Sequence, residues 1–398
     1  MAYVEDRFIH DADSHIMELP GFLDDYVEAR FKSAINADAS YFGRRPNFLA
    51  QVPEILRRQS DPAWRDEDGA QIMQRKDWDA TGAFRREDRP KALDHLGFKS
   101  QLVISTAYLI MLTTLEHGDD VDLAYAAAAA HNRHVVDFCA VDRRLLAVGY
   151  VPLMDLARAV AAARQAIALG CKALMIPSQC PETHAVSHIG LDPLWAMAQE
   201  AGLPIVFHVG GGGPPVSLAN LVNGLPSVPD FHGGDLNFTS ISYMAAGTSV
   251  MQALGTLIID RVLDRFPRLR VGVIEQGASW LPGWMRTMDS AFTAFYKNEE
   301  RLKAMSMKPS DFVHRQVRVT PYSHEDTGWI IANSGEEICL FSSDYPHVEG
   351  GRNPLKRFEQ SLAATPPAVK RRFYSDNFVD LMGEGLAADL RYPVVSAA

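Results

Sequence analysis

Asp13 and His15 stand two residues apart where the apolar run RFIHDAD, residues 7–13, gives way to Ser-His. On an extended strand, residues i and i+2 point to the same face. A carboxylate and an imidazole are therefore offered side by side, with Asp11 in the same phase. Three later apolar runs end in groups of the same kind. His208 closes PIVFH, Glu275 ends VGVIE and Asp344 ends CLFSSD. Such groups are costly to bury unless they are paired or bound to a cation. The chemistry they suit is a divalent ion that activates water and polarises a substrate oxygen. Taken singly, each has an ordinary reading: His208 as a rim histidine, Asp344 before Tyr-Pro as a helix N-cap. Together they point to one centre. His347, three residues past Asp344, either joins Glu275 in a second, oxygen-rich shell or is a loop histidine.

The elements that must position these groups repeat along the chain. Short β-branched runs at 7–13, 101–106, 145–153, 172–178, 204–209, 270–276, 316–322 and 337–344 alternate with helical patterns. The segment DLARAVAAARQAIALG is helical by composition and ends at Gly170, while DPLWAMAQEAG carries Asp192 as N-cap and closes at Gly202. Eight strands alternating with helices predict a (β/α)8 TIM barrel, with one domain over residues 1–398. The rival, a doubly wound open sheet, lacks a GxGxxG after the first strand. Two stretches exceed the plain repeat: an insert at 20–90 and a Gly/Pro-rich loop at 210–245. Both follow a strand, so both are expected over the C-terminal face of the barrel, where active sites are built and where they would set substrate choice.

Composition narrows the function classes. A net charge of −10 disfavours a binder of phosphate backbones. Cys139, Cys171, Cys180 and Cys339 are scattered and form no CxxC pair, which suits a reducing compartment. The acidic start MAYVEDRFIH lacks the apolar core of a signal peptide, and no apolar run is long enough to span a membrane. A cytoplasmic protein is expected, with a small-molecule substrate and neither nucleic acid nor membrane as partner.

The stretches DADSHIMELP, RPKALDHLGFKSQLVIST, LDPLWAMAQEAGLPIVFHVGG, RFPRLRVGVIEQGASWLPGWMRTMD and FSSDYPHVEGG occur in an order and spacing that resemble a known group. The chain is similar to the amidohydrolase-related, metal-dependent TIM-barrel family that includes aminocarboxymuconate semialdehyde decarboxylase and γ-resorcylate decarboxylase. The resemblance spans about residues 8–383 and implies a metal pair on the first strand, matched by Asp13 and His15. It further implies a fifth-strand histidine ligand, matched by His208, and a last-strand aspartate, matched by Asp344. In the decarboxylases the sixth strand bears a catalytic histidine; here Glu275 stands in that neighbourhood. The lysine that is carbamylated in binuclear relatives has no match, since Lys172 lies at the wrong end of its strand.

Two imidazoles with two or three carboxylates suit zinc first, with manganese or iron as alternatives, as one or two ions per chain. Asp344 and Glu275 are the candidate catalytic residues, and Asp13, His15, His208 and Asp344 the candidate ligands, extended by Glu275 and His347. Asn132, His232 and Tyr345 are candidates for supporting or substrate contacts. The leading expectation is a hydrolase that uses metal-activated water on a small carboxylated or cyclic substrate. Non-oxidative decarboxylation is the near alternative. A third is a subunit of a hetero-oligomeric, metal-dependent oxygenase related to 2-aminoisobutyrate hydroxylase, and a metal-free binding protein is the fourth. A homo-oligomer is expected, or a homologous barrel as hetero-partner.

Overall fold

The structure, a computed structural model, describes residues 2–38, 40–66, 71–179, 183–210, 216–229 and 238–391. Seven strands form one curled, all-parallel sheet in chain order: β1 (His10–Ile16), β2 (Ser100–Ser105), β3 (Leu145–Tyr150), β4 (Ala173–Met175), β5 (Ile205–His208), β6 (Val271–Ile274) and β7 (Val317–Val319). Helices connect successive strands, as parallel pairing requires. The helix Leu156–Leu169 shows how local chemistry sets these connections. The Asp155 carboxylate accepts the Arg158 N–H at its start, and Gly170 ends it at φ +102°. Asp192 does not cap the next long helix; it occupies the first turn of Asp192–Glu200, one residue inside the cap position.

The predicted eighth strand is corrected. Residues 337–344 do not form a regular strand, yet the segment touches both edges of the sheet through single bridges, Val319 to Cys339 and Ser14 to Tyr345. Leu340 N–H donates to Val319 O at 2.9 Å, and Ala12 N–H donates to Phe341 O at 3.1 Å. At the end of the segment Asp344 adopts a left-handed backbone, φ +53°. The 20–90 insert is likewise not a plain loop. It carries helices Ala29–Asn36, Pro46–Ser60 and Pro62–Asp66. Residues 211–215 and 230–237 of the 210–245 loop, including His232, lie outside the described residues.

Alternation along the strands divides the core in two. Leu102, Ile104, Val148, Met175, Val206, Ile274 and Leu340 form one cluster with Phe378, Leu381 and Met382 of the helix Asn377–Met382. Val103, Ala147, Leu174, Phe207, Val273 and Val319 belong to the other, against the helices. The first cluster fills the inside of the curl. On β5, His208 is in phase with Val206 and so faces inward.

Strand β1 breaks its own alternation. Asp11 pairs with Gln101 and Ser14 with Val103, so three steps of β1 oppose two of β2. This bulge puts Ala12 in the inner cluster and still turns Asp13 and His15 to the inside. Asp11, expected in their phase, is thereby separated from them. Its carboxylate instead ties the bulge together. It accepts Asp13 N–H at 3.3 Å, Gln101 Nε2 at 2.8 Å, Ser343 N–H at 2.8 Å and Ser343 Oγ at 2.6 Å. Removing it in Asp11→Ala strands several buried donors. The variant is expected to lose about 3 kcal/mol in urea denaturation, since unmet buried polar groups cost about 1–3 kcal/mol each.

Candidate metal centre

Six side chains converge at the inner ends of these elements. Nε2 of His15 lies 3.1 Å from Asp13 Oδ1, 3.4 Å from Asp344 Oδ1 and 4.0 Å from Glu275 Oε2. Nε2 of His208 lies 3.2 Å from Glu275 Oε2 and 3.5 Å from Asp13 Oδ1. His347 stacks on His15 with ring centroids 3.8 Å apart, and its Nδ1 is 2.9 Å from Asp344 Oδ1. Two overlapping ligand groups result: Asp13, His15, His208 and Glu275, then His15, Glu275, Asp344 and His347. Asp13, His15 and His208 are buried, at 0%, 1% and 2% exposure.

These short contacts are not a satisfied hydrogen-bond network. Both Asp13 oxygens, both His15 ring nitrogens, His208 Nε2 and Asp344 Oδ1 are buried without a hydrogen-bond partner. His208 explains part of this. Its Nδ1 lies 2.9 Å from the carbonyl of Val209, so the proton sits on Nδ1 and the Nε2 lone pair faces the carboxylates. Lone pairs facing carboxylates repel, and a shared cation removes the repulsion. Burial, then His347, lowers the pKa of His15, which keeps its imidazole neutral and able to donate a lone pair. Burial raises the Asp13 carboxyl, but positive charge on its His15 and His208 side, as a proton or a cation, pulls it below the ordinary carboxylate range. Glu275 is pushed well above that range by burial, then by the charges of Asp344 and Asp13.

Glu275 reaches the site against the strand's alternation. Val271 and Val273 face the helices, so a regular continuation would send residue 275 outward. Strand β6 instead ends at Ile274 and Glu275 adopts φ +53°, which swings its carboxylate inside. Neighbours past β7 hold that turn. Thr320 Oγ1 accepts Glu275 N–H at 2.8 Å, and the Tyr322 hydroxyl donates to Glu275 O at 2.8 Å. Asp344 is fixed through its N–H to Asp13 O at 3.0 Å, and His347 Nε2 pairs with Thr106 Oγ1 at 2.8 Å. Arg89, fully buried, donates to His15 O at 3.0 Å beneath the cluster.

The structure thus brings together Asp13, His15, His208, Glu275, Asp344 and His347. It does not bring Asn132 or Tyr345 to them as substrate contacts. The Asn132 amide is spent on Tyr150, accepting its N–H at 2.7 Å and donating to its carbonyl at 2.9 Å, so it joins a helix to β3. The Tyr345 hydroxyl donates to Thr81 O at 2.7 Å with its ring under the Arg89 guanidinium, so its role is packing. Thr106, Thr320 and Tyr322 escaped the sequence reading. Thr106 and Thr320 follow QLVIS and QVRV directly, and Tyr322 lies two residues further on, so the rule that found His208 and Asp344 applies to the two threonines.

The amidohydrolase family matches residues 11–379 of the chain. No curated protein matches it. Among solved structures it is similar to an amidohydrolase from Mycobacterium avium subsp. paratuberculosis K-10, at 19% identity and TM-score 0.71, over 96% of this chain and 100% of that one. It is also similar to 2,6-dihydroxybenzoate decarboxylase from Rhizobium, at 16% identity and TM-score 0.62, over 94% and 98% of the two chains. A third is 5-carboxyvanillate decarboxylase from Novosphingobium aromaticivorans with bound manganese, at 18% identity and TM-score 0.63, over 95% and 97%. At such identities the likeness is one of fold; the family match covers nearly the whole chain. The chain belongs to the amidohydrolase family.

Proposed function

We propose that the chain is a metal-dependent hydrolase of a small carboxylated or cyclic substrate, its irregular eighth segment standing as the last position of a (β/α)8 barrel. The observation that carries this is the set of buried, unpartnered donors on Asp13, His15, His208 and Asp344. Imidazole nitrogen and carboxylate oxygen in this ratio fit zinc, manganese or iron. A bound ion of this type supplies Lewis acidity and a water of lowered pKa. The chain's residues supply the proton traffic. Asp344 is the base, with His347 behind it at 2.9 Å to take the proton on and Thr106 orienting that imidazole. Glu275 faces the same space, and a carboxyl raised above the ordinary range by burial and by Asp344 suits the acid for the leaving group.

Two other chemistries have specific support. Decarboxylation of a hydroxy-carboxylate is supported by the decarboxylases that share this fold, and it would use Glu275 to deliver a proton to carbon. Oxygenation is supported by the overlap of the two ligand groups, which share His15 and Glu275 and so could together hold two ions. A homologous barrel as hetero-partner belongs to that reading.

Elemental mass spectrometry of the purified chain should find one to two ions of zinc, manganese or iron per chain. His15→Ala and His208→Ala should each lower metal affinity by about 100-fold or more, since each removes a ligand that no neighbour replaces. No metal in the wild-type chain would end all three readings. Isotope labelling separates them once a substrate turns over. Hydrolysis places one oxygen from H₂¹⁸O in the product. Decarboxylation releases CO₂ with no label from water or O₂ in the decarboxylated product, and oxygenation takes its label from ¹⁸O₂.

A further inference from the structure

The hydroxyl that holds His347 is one that ordinary helix chemistry would use elsewhere. Thr106 is the N-cap of the helix Ala107–Glu116, and a threonine there usually turns its oxygen onto an N–H of the first turn. Thr106 makes no such side-chain bond. Its Oγ1 lies 2.8 Å from His347 Nε2, across 241 residues of chain, and 3.6 Å from Met17 Sδ. A hydroxyl proton directed at the sulfur leaves the Oγ1 lone pairs to accept the Nε2–H of His347. The other ring nitrogen, Nδ1, is then presented to Asp344 Oδ1 at 2.9 Å.

The helix start finds its acceptor in Glu18 instead. This residue lies two positions past the end of β1 and is fully buried. Its Oε2 accepts Thr106 N–H at 3.1 Å and Ala107 N–H at 2.9 Å, so Thr106 is gripped by its backbone while its hydroxyl faces the other way. The Glu18 carbonyl accepts Trp78 Nε1–H at 3.1 Å, which fastens the residue to the insertion as well. Burial raises the Glu18 carboxyl to about 7, so a charge is costly to keep there. What the helix start uses is the oxygen as an acceptor of two N–H groups.

We propose that Glu18 is a positioning residue for His347: by gripping the backbone of Thr106 at the helix start, it keeps the Thr106 hydroxyl on the imidazole that stands beside Asp344. The proton-accepting task of His347 rests on the function proposed above; the way its ring is held does not. Without Glu18, the first-turn N–H groups compete for the Thr106 hydroxyl, and the imidazole loses its only side-chain anchor outside the ligand cluster among the bonds described above.

Nuclear magnetic resonance of the ¹⁵N-histidine-labelled full chain, metal-free and zinc-loaded, reads the anchor directly. The wild-type chain should show a slowly exchanging His347 Nε2–H, assigned by its loss in His347→Gln. Glu18→Ala should speed its exchange by about tenfold or more, the worth of one hydrogen bond. Glu18→Gln should restore slow exchange, because an amide oxygen also accepts two N–H groups. Thr106→Val leaves Glu18 in place and should speed the exchange equally; it decides the question if Glu18→Ala does not fold. Unchanged exchange in Glu18→Ala with a lowered melting temperature overturns the proposal and makes Glu18 a helix cap alone. Unchanged exchange in Thr106→Val overturns it too, as does a wild-type chain without the slow Nε2–H. If the wild-type chain takes up no zinc, manganese or iron, the metal-dependent reading falls instead, and the metal-free spectra decide Glu18 by themselves.

Discussion

The carboxylate of Asp11 holds the site in place. With four hydrogen bonds it ties the bulge of β1, the side chain of β2's Gln101 and the irregular segment at Ser343 into one knot. Asp13 and His15 ride on the first of these parts and Asp344 on the last. Together with the backbone bond from Asp344 N–H to Asp13 O, the knot keeps a carboxylate on 344 within 3.4 Å of an imidazole on 15. Burial raises the Asp11 pKa to about 7, while its four donors favour the charged form. Four donors on one carboxylate are what make a buried charge tolerable at the junction of three segments.

Around this knot the fold gathers groups that repel one another. Three carboxylates and three imidazoles crowd together, many of their lone pairs facing inward. The backbone contributes to the crowding, because Glu275 and Asp344 both occupy the left-handed region. That conformation is unfavourable for residues bearing a Cβ, by about 1–3 kcal/mol each, and persists only where the surroundings enforce it. Thr320 and Tyr322 enforce it at Glu275, and the bond to Asp13 O does so at Asp344. A structure that stores strain and repulsion in one place is organised for a ligand that relieves both, and a divalent cation is such a ligand.

Much of the centre was legible in the linear chain. Asp13, His15, His208, Glu275 and Asp344 were recognisable because each is a polar group closing an apolar run, and parallel strands bring such ends to one rim. Asn132 misled because a buried amide on a helix looks the same whether it serves a substrate or the backbone of a neighbouring strand.

The amino-acid sequence by itself determined the alternation of strands and helices, the polar groups at the strand ends and the family to which the chain belongs. These depend on periodicity and on residue type at short range. Tertiary structure decided that Asp11 would leave the phase of Asp13, that residues 337–344 would bridge the sheet rather than extend it, and that Glu275 would face inward. Each of those outcomes is set by a backbone torsion or a bulge stabilised by residues far away in the chain. Contacts of that kind exist only after the segments have met.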